Sequence, residues 1–215
     1  MSRRYDCADP ADRTQGLREA VGAVRRGELV VLPTDTVYGL GADAFTPEAV
    51  RALLEVKGRG RSMPTPVLVG SPQTLHGLVT GFPACGWELV DAFWPGPLTI
   101  VAMHQPSLRW DLGDTRGTVA VRMPLHPVAI ELLEQTGPMA VSSANRTGAP
   151  PATTVDDAVA QLGDAVSVYL DGGPSPDAVP SSIVDVTGPV PRLLRAGALG
   201  VDALREVVPD LEVDS

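Results

Sequence analysis

At 215 residues the chain has room for one large domain or two small ones, and 44% hydrophobic with 20% charged residues suits a globular protein with a real core. Its formal net charge of -9 argues against a surface that coats nucleic acid through broad counterion release, yet leaves room for a local basic pocket that takes a small anion. The N-terminal MSRRYDCADP lacks the apolar core of a signal peptide and no run reaches membrane-spanning length, so a cytoplasmic, membrane-free setting is the default expectation; Cys7 and Cys85 fit no metal or CxxC spacing.

Residues 1–13 are polar and aperiodic and read as a flexible leader, 14–208 as a single domain, and 209–215 as a flexible tail. Leu17, Ala20, Val21 and Val24 follow helical spacing over 14–26, with Thr14 as the N-cap and Gly27 as the stop. Residues 29–32 form an apolar strand that ends at Pro33 and delivers Thr34, Asp35, Thr36 and Tyr38 to its carboxyl end, where open α/β sheets hold ligands. In extended backbone Thr34 and Thr36 point to one side and Asp35 to the other, so the hydroxyls can meet one small polar ligand; a threonine-rich turn satisfied by its own side chains explains them equally well. Gly39 and Gly41 let backbone approach a ligand or adopt turn dihedrals.

Thr46-Pro47-Glu48 opens a helix with Val50, Leu53 and Leu54 on its apolar face. It runs into KGRGRSMPTP, where Lys57, Arg59 and Arg61 alternate with glycine, so an extended segment turns three cations one way, toward several anionic oxygens of one ligand. The glycines are not those of a Walker A loop, and a solvated basic turn is the competing account. Strands are expected at 66–70, 98–103, 118–123, 139–141 and 166–170, helices at 71–79, 86–93, 126–135, 154–162 and 200–208, and short apolar pieces at 183–186 and 193–194. The irregular stretch 106–117 is either a lid or a surface connection. Arg122, set among Val119, Ala120 and Val121, requires an anionic partner, either a ligand or a structural salt bridge, or a dense set of acceptors. Ser142, Ser143 and Asn145 follow a strand end, as either ligand contacts or an Asx or Ser turn. Ser182 repeats the pattern, and Arg195 before Gly197 is a further phosphate contact candidate.

Elements interleave without a repeat, which gives one mixed α/β domain. Covalent catalysis finds no candidate: GxSxG is absent and His76, His104 and His126 share no metal-ligand spacing. The polar inventory suits charge stabilisation, as in phosphoryl or adenylyl transfer.

PTDTVYGLGADA, KGRGRSMPTPVLV, FWPGPLTIV, TVAVRMP, SSANRTGAPPATT, SSIVDVT and LLRAGAL, spread in order over residues 29–199, resemble the blocks of the YrdC/Sua5 family, the L-threonylcarbamoyladenylate synthases. The resemblance implies a twisted mixed α/β sheet with flanking helices around a positively charged cavity, as also in dihydroxybutanone phosphate synthase. It implies a nucleotidyltransferase that converts L-threonine, bicarbonate or CO2 and ATP to L-threonylcarbamoyl-AMP and pyrophosphate, for N6-threonylcarbamoyladenosine at tRNA position 37. By the same resemblance Lys57 and Arg59 are catalytic and face ATP phosphates; Thr34, Thr36, Tyr38, Arg122, Ser142 and Ser182 bind threonine; and Thr118, Ser142, Ala144, Asn145 and Arg195 complete the ATP contacts. Mg2+ is expected through the ATP phosphates, with no protein ligand assigned. A downstream tRNA threonylcarbamoyl transferase complex and a weak tRNA contact are the expected macromolecular partners. Gly60 stands where many members carry proline, which loosens the basic loop, and the chain resembles the short form without an extra C-terminal domain. The competing functions are a tRNA-binding module without adenylylation and a carbamoyl-adenylate-forming enzyme of the related hydrogenase-maturation type.

Overall fold

The computed structural model describes residues 2–176 and 179–213. The apolar run after Gly27 becomes β2 (Val30–Leu32), and it lies inside one mixed sheet that has eleven strands among the described residues. In chain order the other elements begin with β1 (Arg3–Asp6), α1 (Pro10–Arg25), β3 (Gly39–Asp43), α2 (Pro47–Lys57), β4 (Val67–Leu68), α3 (Leu75–Leu78) and α4 (Ala84–Phe93). β5 (Leu98–Met103), β6 (Thr118–Arg122), α5 (Pro127–Thr136), β7 (Met139–Ser143), α6 (Val155–Leu162) and β8 (Val168–Asp171) follow. The chain closes with β9 (Ser182–Asp185), β10 (Arg192–Arg195), α7 (Val201–Val207) and β11 (Glu212–Val213). Across the sheet the order is β1-β8-β2-β3-β7-β4-β6-β5-β9-β10-β11, with parallel and antiparallel pairs mixed. Among the described residues no helix is long and apolar enough to cross a membrane.

Strand alternation sorts the core. Val30 and Leu32 join Leu17, Val21, Leu132 and Leu170 in a cluster under α1 and α5, whereas Val31 joins Leu40, Leu53, Leu162 and Tyr169 under α2 and α6. A third cluster lies between β5, β6 and β9 and the helices α3, α4 and α7. β3 was hidden in the sequence because its GLGAD has little β propensity. Its glycines serve packing: a Cβ on Gly39 would sit 2.6 Å from Val141 Cγ1, and one on Gly41 would sit 2.8 Å from Met139 Cε.

The leader expected at 1–13 is corrected. β1 pairs in parallel with β8, Tyr5 is buried, and α1 starts at Pro10 with Asp9, not Thr14, capping the Ala11 and Asp12 amides. The segment looked aperiodic because only Tyr5 of the four strand residues faces the core, in the burial pattern exposed-exposed-buried-exposed. The tail expected at 209–215 likewise contains β11, which pairs with β10, and Leu211 is buried; residues 214–215 lie outside the described residues.

Candidate functional site

A cavity of about 490 Å³ opens against the strand ends of β2, β5, β6, β7 and β9. Thr34, Thr36 and Tyr38 line it, as do Arg59, Arg122, Ser142 and Arg195. The two threonines do share a side, with hydroxyls 3.1 Å apart. Their bonding is directional. Arg122 Nη1 donates to Thr36 Oγ1 at 2.9 Å, so the Thr36 hydroxyl donates to Thr34 Oγ1, whose own proton goes to the Val37 carbonyl at 2.7 Å. Thr34 therefore reaches the cavity with its donor already committed. Tyr38 bonds away from the cavity, donating to the Gly173 carbonyl and accepting from Gly172 N–H, and burial pushes its phenol well up.

Arg122 is 6% exposed, and Asp35 is its partner. Nη2 donates to Asp35 Oδ1, Nε donates to the Gly96 carbonyl at 2.9 Å, and Asp35 Oδ1 also accepts from Leu125 N–H at 3.0 Å. Both proposed identities of the anionic partner thus meet at one residue: a structural salt bridge exists, and the guanidinium still lines the cavity. Burial lowers the Arg122 pKa against the opposing pull of Asp35, and the group stays charged.

The cationic segment does not alternate. Lys57 is the last residue of α2, and Gly58 turns left-handed at φ 63°, which breaks the extended geometry. Lys57 is 1% exposed and lies outside the cavity lining; its ammonium donates to the carbonyls of Ser143 and Asn145 and to Asn145 Oδ1. Burial and the charge of Arg59 push its pKa down to about 8. Arg59 alone enters the cavity, 3.3 Å from Ser142 Oγ, with its buried Nε unpartnered. Arg61 turns outward to Asp111 and Asp114.

The residues expected beside Arg195 shift by one position. Ser182 is fully buried, donating to the Leu199 carbonyl and accepting from Gly197 and Leu199 N–H, so its hydroxyl is spent inside a turn. Ser181 and Ile183 face the cavity instead, as strand alternation requires. Ser181 Oγ sits 2.8 Å from Thr99 Oγ1, also lining, and Arg195 donates to both the carbonyl and the hydroxyl of Ser181. Thr99 had a readable signal: it is the polar residue between the core-facing Leu98 and Ile100. Thr118 lies at the opposite end of β6 from Arg122, bonded to the Thr115 carbonyl and outside the lining. Ala144 and Asn145 are buried behind the wall, Ala144 N–H on the Tyr38 carbonyl and the Asn145 amide on the Arg146 and Ala149 carbonyls.

Among the described residues neither Arg59 nor Arg195 has a carboxylate partner, and burial lowers the pKa of both. Two uncompensated guanidiniums, a third paired one and several hydroxyls form a receptor for a multiply anionic ligand. The lining holds no Asp, Glu, Cys or His, and no cluster of three such residues able to hold a metal exists among the described residues. The donor set thus lacks the carboxylates that usually anchor a divalent cation and offers hydroxyls alone.

Comparison with known proteins accords with this geometry. The Sua5/YciO/YrdC family model, described as "Telomere recombination", matches residues 22–197. A protein of Mycobacterium tuberculosis (strain ATCC 25618 / H37Rv) named putative threonylcarbamoyl-AMP synthase is 58% identical over 208 residues, covering 97% of this chain and 96% of its own. The threonylcarbamoyl-AMP synthase of Pyrococcus abyssi (strain GE5 / Orsay) is 35% identical over 198 residues, 92% of this chain and 58% of its own. The solved structure of P. abyssi Sua5 complexed with L-threonine is 32% identical and superposes with a TM-score of 0.92, covering 100% of this chain and 62% of that one. E. coli YciO shares the fold at 21% identity and a TM-score of 0.83, over 95% of this chain and 100% of that one. With a family match across residues 22–197 and 58% identity to a relative of nearly the same length, the chain belongs to the Sua5/YciO/YrdC family.

Proposed function

We infer that this protein is an L-threonylcarbamoyladenylate synthase, using L-threonine, bicarbonate or CO2 and ATP to make L-threonylcarbamoyl-AMP and pyrophosphate. The observation that carries the reading is the convergence of Arg59, Arg122 and Arg195 on one cavity in a chain of net charge -9. The three cations divide by their surroundings. Arg122, held by Asp35 and Thr36, suits the single carboxylate of threonine; Arg59 and Arg195, without carboxylate partners, suit the phosphates.

The neutral threonine amine adds to CO2, and the adduct passes its proton to solvent to leave a carbamate. A carbamate oxygen then attacks the α-phosphorus of ATP, and the bond to the leaving oxygen breaks with its electron pair on pyrophosphate. Arg59 offsets the charge that develops there, and the Ser142 hydroxyl, 3.3 Å from it, donates to the same group. Lys57 is assigned to holding the Ser142-to-Asn145 wall from behind. Mg2+ would be held by the ATP phosphates and would supply charge neutralisation there; the cavity wall offers it hydroxyls and no carboxylate.

The transfer to tRNA position 37 is assigned to a partner transferase complex in the cytoplasm. The test is pyrophosphate release from ATP and bicarbonate with and without L-threonine. Threonine-dependent release is expected. Threonine-independent release would favour a general ATPase, release that depends instead on an added carbamoyl donor would favour a carbamoyl-adenylate enzyme, and salt-sensitive tRNA binding without release would favour a binding module.

A further inference from the structure

In the cationic segment Arg59 N–H is held on the Leu54 carbonyl at 2.9 Å, at the end of α2, while Gly58 and Gly60 on either side leave the path of the chain beyond it to outside contacts. Residues 111–114 lie along it and are tied at several points. Arg61 Nη1 and Nη2 meet the two oxygens of Asp111 at 2.7 and 2.8 Å, and Asp114 lies 3.4 Å from Arg61 Nε. Asp114 N–H donates to the Arg61 carbonyl at 2.8 Å, and Thr65 N–H donates to the Leu112 carbonyl at 3.0 Å. Leu112, 1% exposed, anchors the far side in the core. Gly113 sits at φ +103°, and a Cβ there would lie 2.8 Å from the Arg61 carbonyl oxygen, so the approach is too close for any other residue.

The stretch from Arg59 to Pro66 held by these bonds supplies Arg59, Met63, Pro64 and Pro66 to the cavity wall. The 106–117 stretch is thus docked through its 111–114 portion.

We propose that residues 111–114 form a strap on the cationic segment, and that Arg61, through its two-point pair with Asp111, is a positioning residue that sets Arg59 against the nucleotide. The proposal rests on the synthase reading for its kinetic consequence and on geometry alone for its structural one. Asp111→Asn separates the strap from long-range electrostatics. Removing a negative charge near the site strengthens ATP binding if charge alone matters, whereas loosening the strap weakens it.

The expected result in Asp111→Asn is a threonine KM within about twofold, a kcat lowered because Arg59 also meets the charge on the departing pyrophosphate, and an ATP KM raised about fivefold. Arg61→Asp and Asp111→Arg each raise it similarly, and the double reversal restores it. Hydrogen exchange of the 59–66 amides reads the strap without any activity: it is expected to speed up in the single variants and to recover in the double one. An ATP KM that falls in Asp111→Asn, a double variant no better than the singles, or unchanged exchange at 59–66 would each overturn the proposal. If the unmodified protein releases no pyrophosphate, the synthase reading fails and exchange alone decides the strap.

Discussion

Replacing Lys57 by Met separates a phosphate contact from a strut behind the wall. The ammonium serves three acceptors; without it the Asn145 carbonyl is left alone at a cost of about 1–3 kcal/mol, and the Ser143 carbonyl, which keeps the Asn145 N–H, loses a charge-assisted bond of about 1.5 kcal/mol. Opposing this, Met removes a charge that is costly to bury: a pKa drawn from 10.5 to about 8 corresponds to about 3 kcal/mol at ~1.4 kcal/mol per pKa unit. The two largely cancel, so the net loss is about 1 kcal/mol and the melting temperature falls by about 2–4 °C. The rate behaves differently, because Ser142 moves with the wall and a displacement of about 1 Å costs roughly a hundredfold. Calorimetry and pyrophosphate release on the same samples test the split.

The pH dependence has a definite sign. Because folding lowers this amine's pKa, the unfolded chain binds more protons between about pH 8 and 10.5, so this group's contribution to stability rises with pH through that window. The unmodified protein therefore gains on Lys57→Met between pH 8 and 10.5. A variant that loses more than about 5 kcal/mol, or one that turns over at the unmodified rate, would refute the reasoning.

Asp35→Asn leaves Arg122 buried without a countercharge, and denaturant titration should show a loss of about 3 kcal/mol alongside a threonine KM raised more than about tenfold. Ser182→Ala breaks three turn bonds and should cost about 2 kcal/mol with substrate KM values nearly unchanged, whereas Ser181→Ala leaves the buried Thr99 hydroxyl without its partner, should cost about 1 kcal/mol, and should raise a substrate KM. Reversal of that serine pair in steady-state kinetics would show that the strand register at the cavity is misassigned.

Period-two reasoning found the shared side of Thr34 and Thr36, but the geometry behind it is the threonine-rich turn: residues 35–37 bend, Thr36 N–H donates to Thr34 Oγ1 at 3.2 Å, and the Thr34 hydroxyl donates to the Val37 carbonyl. The same rule misled at 57–61, where left-handed Gly58 sends Lys57 inward, Arg59 to the cavity and Arg61 to Asp111. Ser182 was chosen over Ser181 because nothing in SSIVD says which serine faces the core; the pairing of Leu98 with Ser182 and Thr99 with Ile183 decides it. Arg122 announced a buried partner, but Asp35 lies 87 residues away in the chain and only the tertiary fold joins them. β1 was invisible since one buried tyrosine carries no period.

The central claim is that bicarbonate carbon ends between threonine and AMP. Incubating the protein with ATP, L-threonine and 13C-bicarbonate, then resolving the products by mass spectrometry, tests it most directly. The account predicts L-threonylcarbamoyl-AMP one mass unit heavier than the unlabelled product, in equal amount to the pyrophosphate released. Pyrophosphate accompanied by unlabelled threonyl-AMP, or by a labelled adenylate lacking threonine, would contradict it.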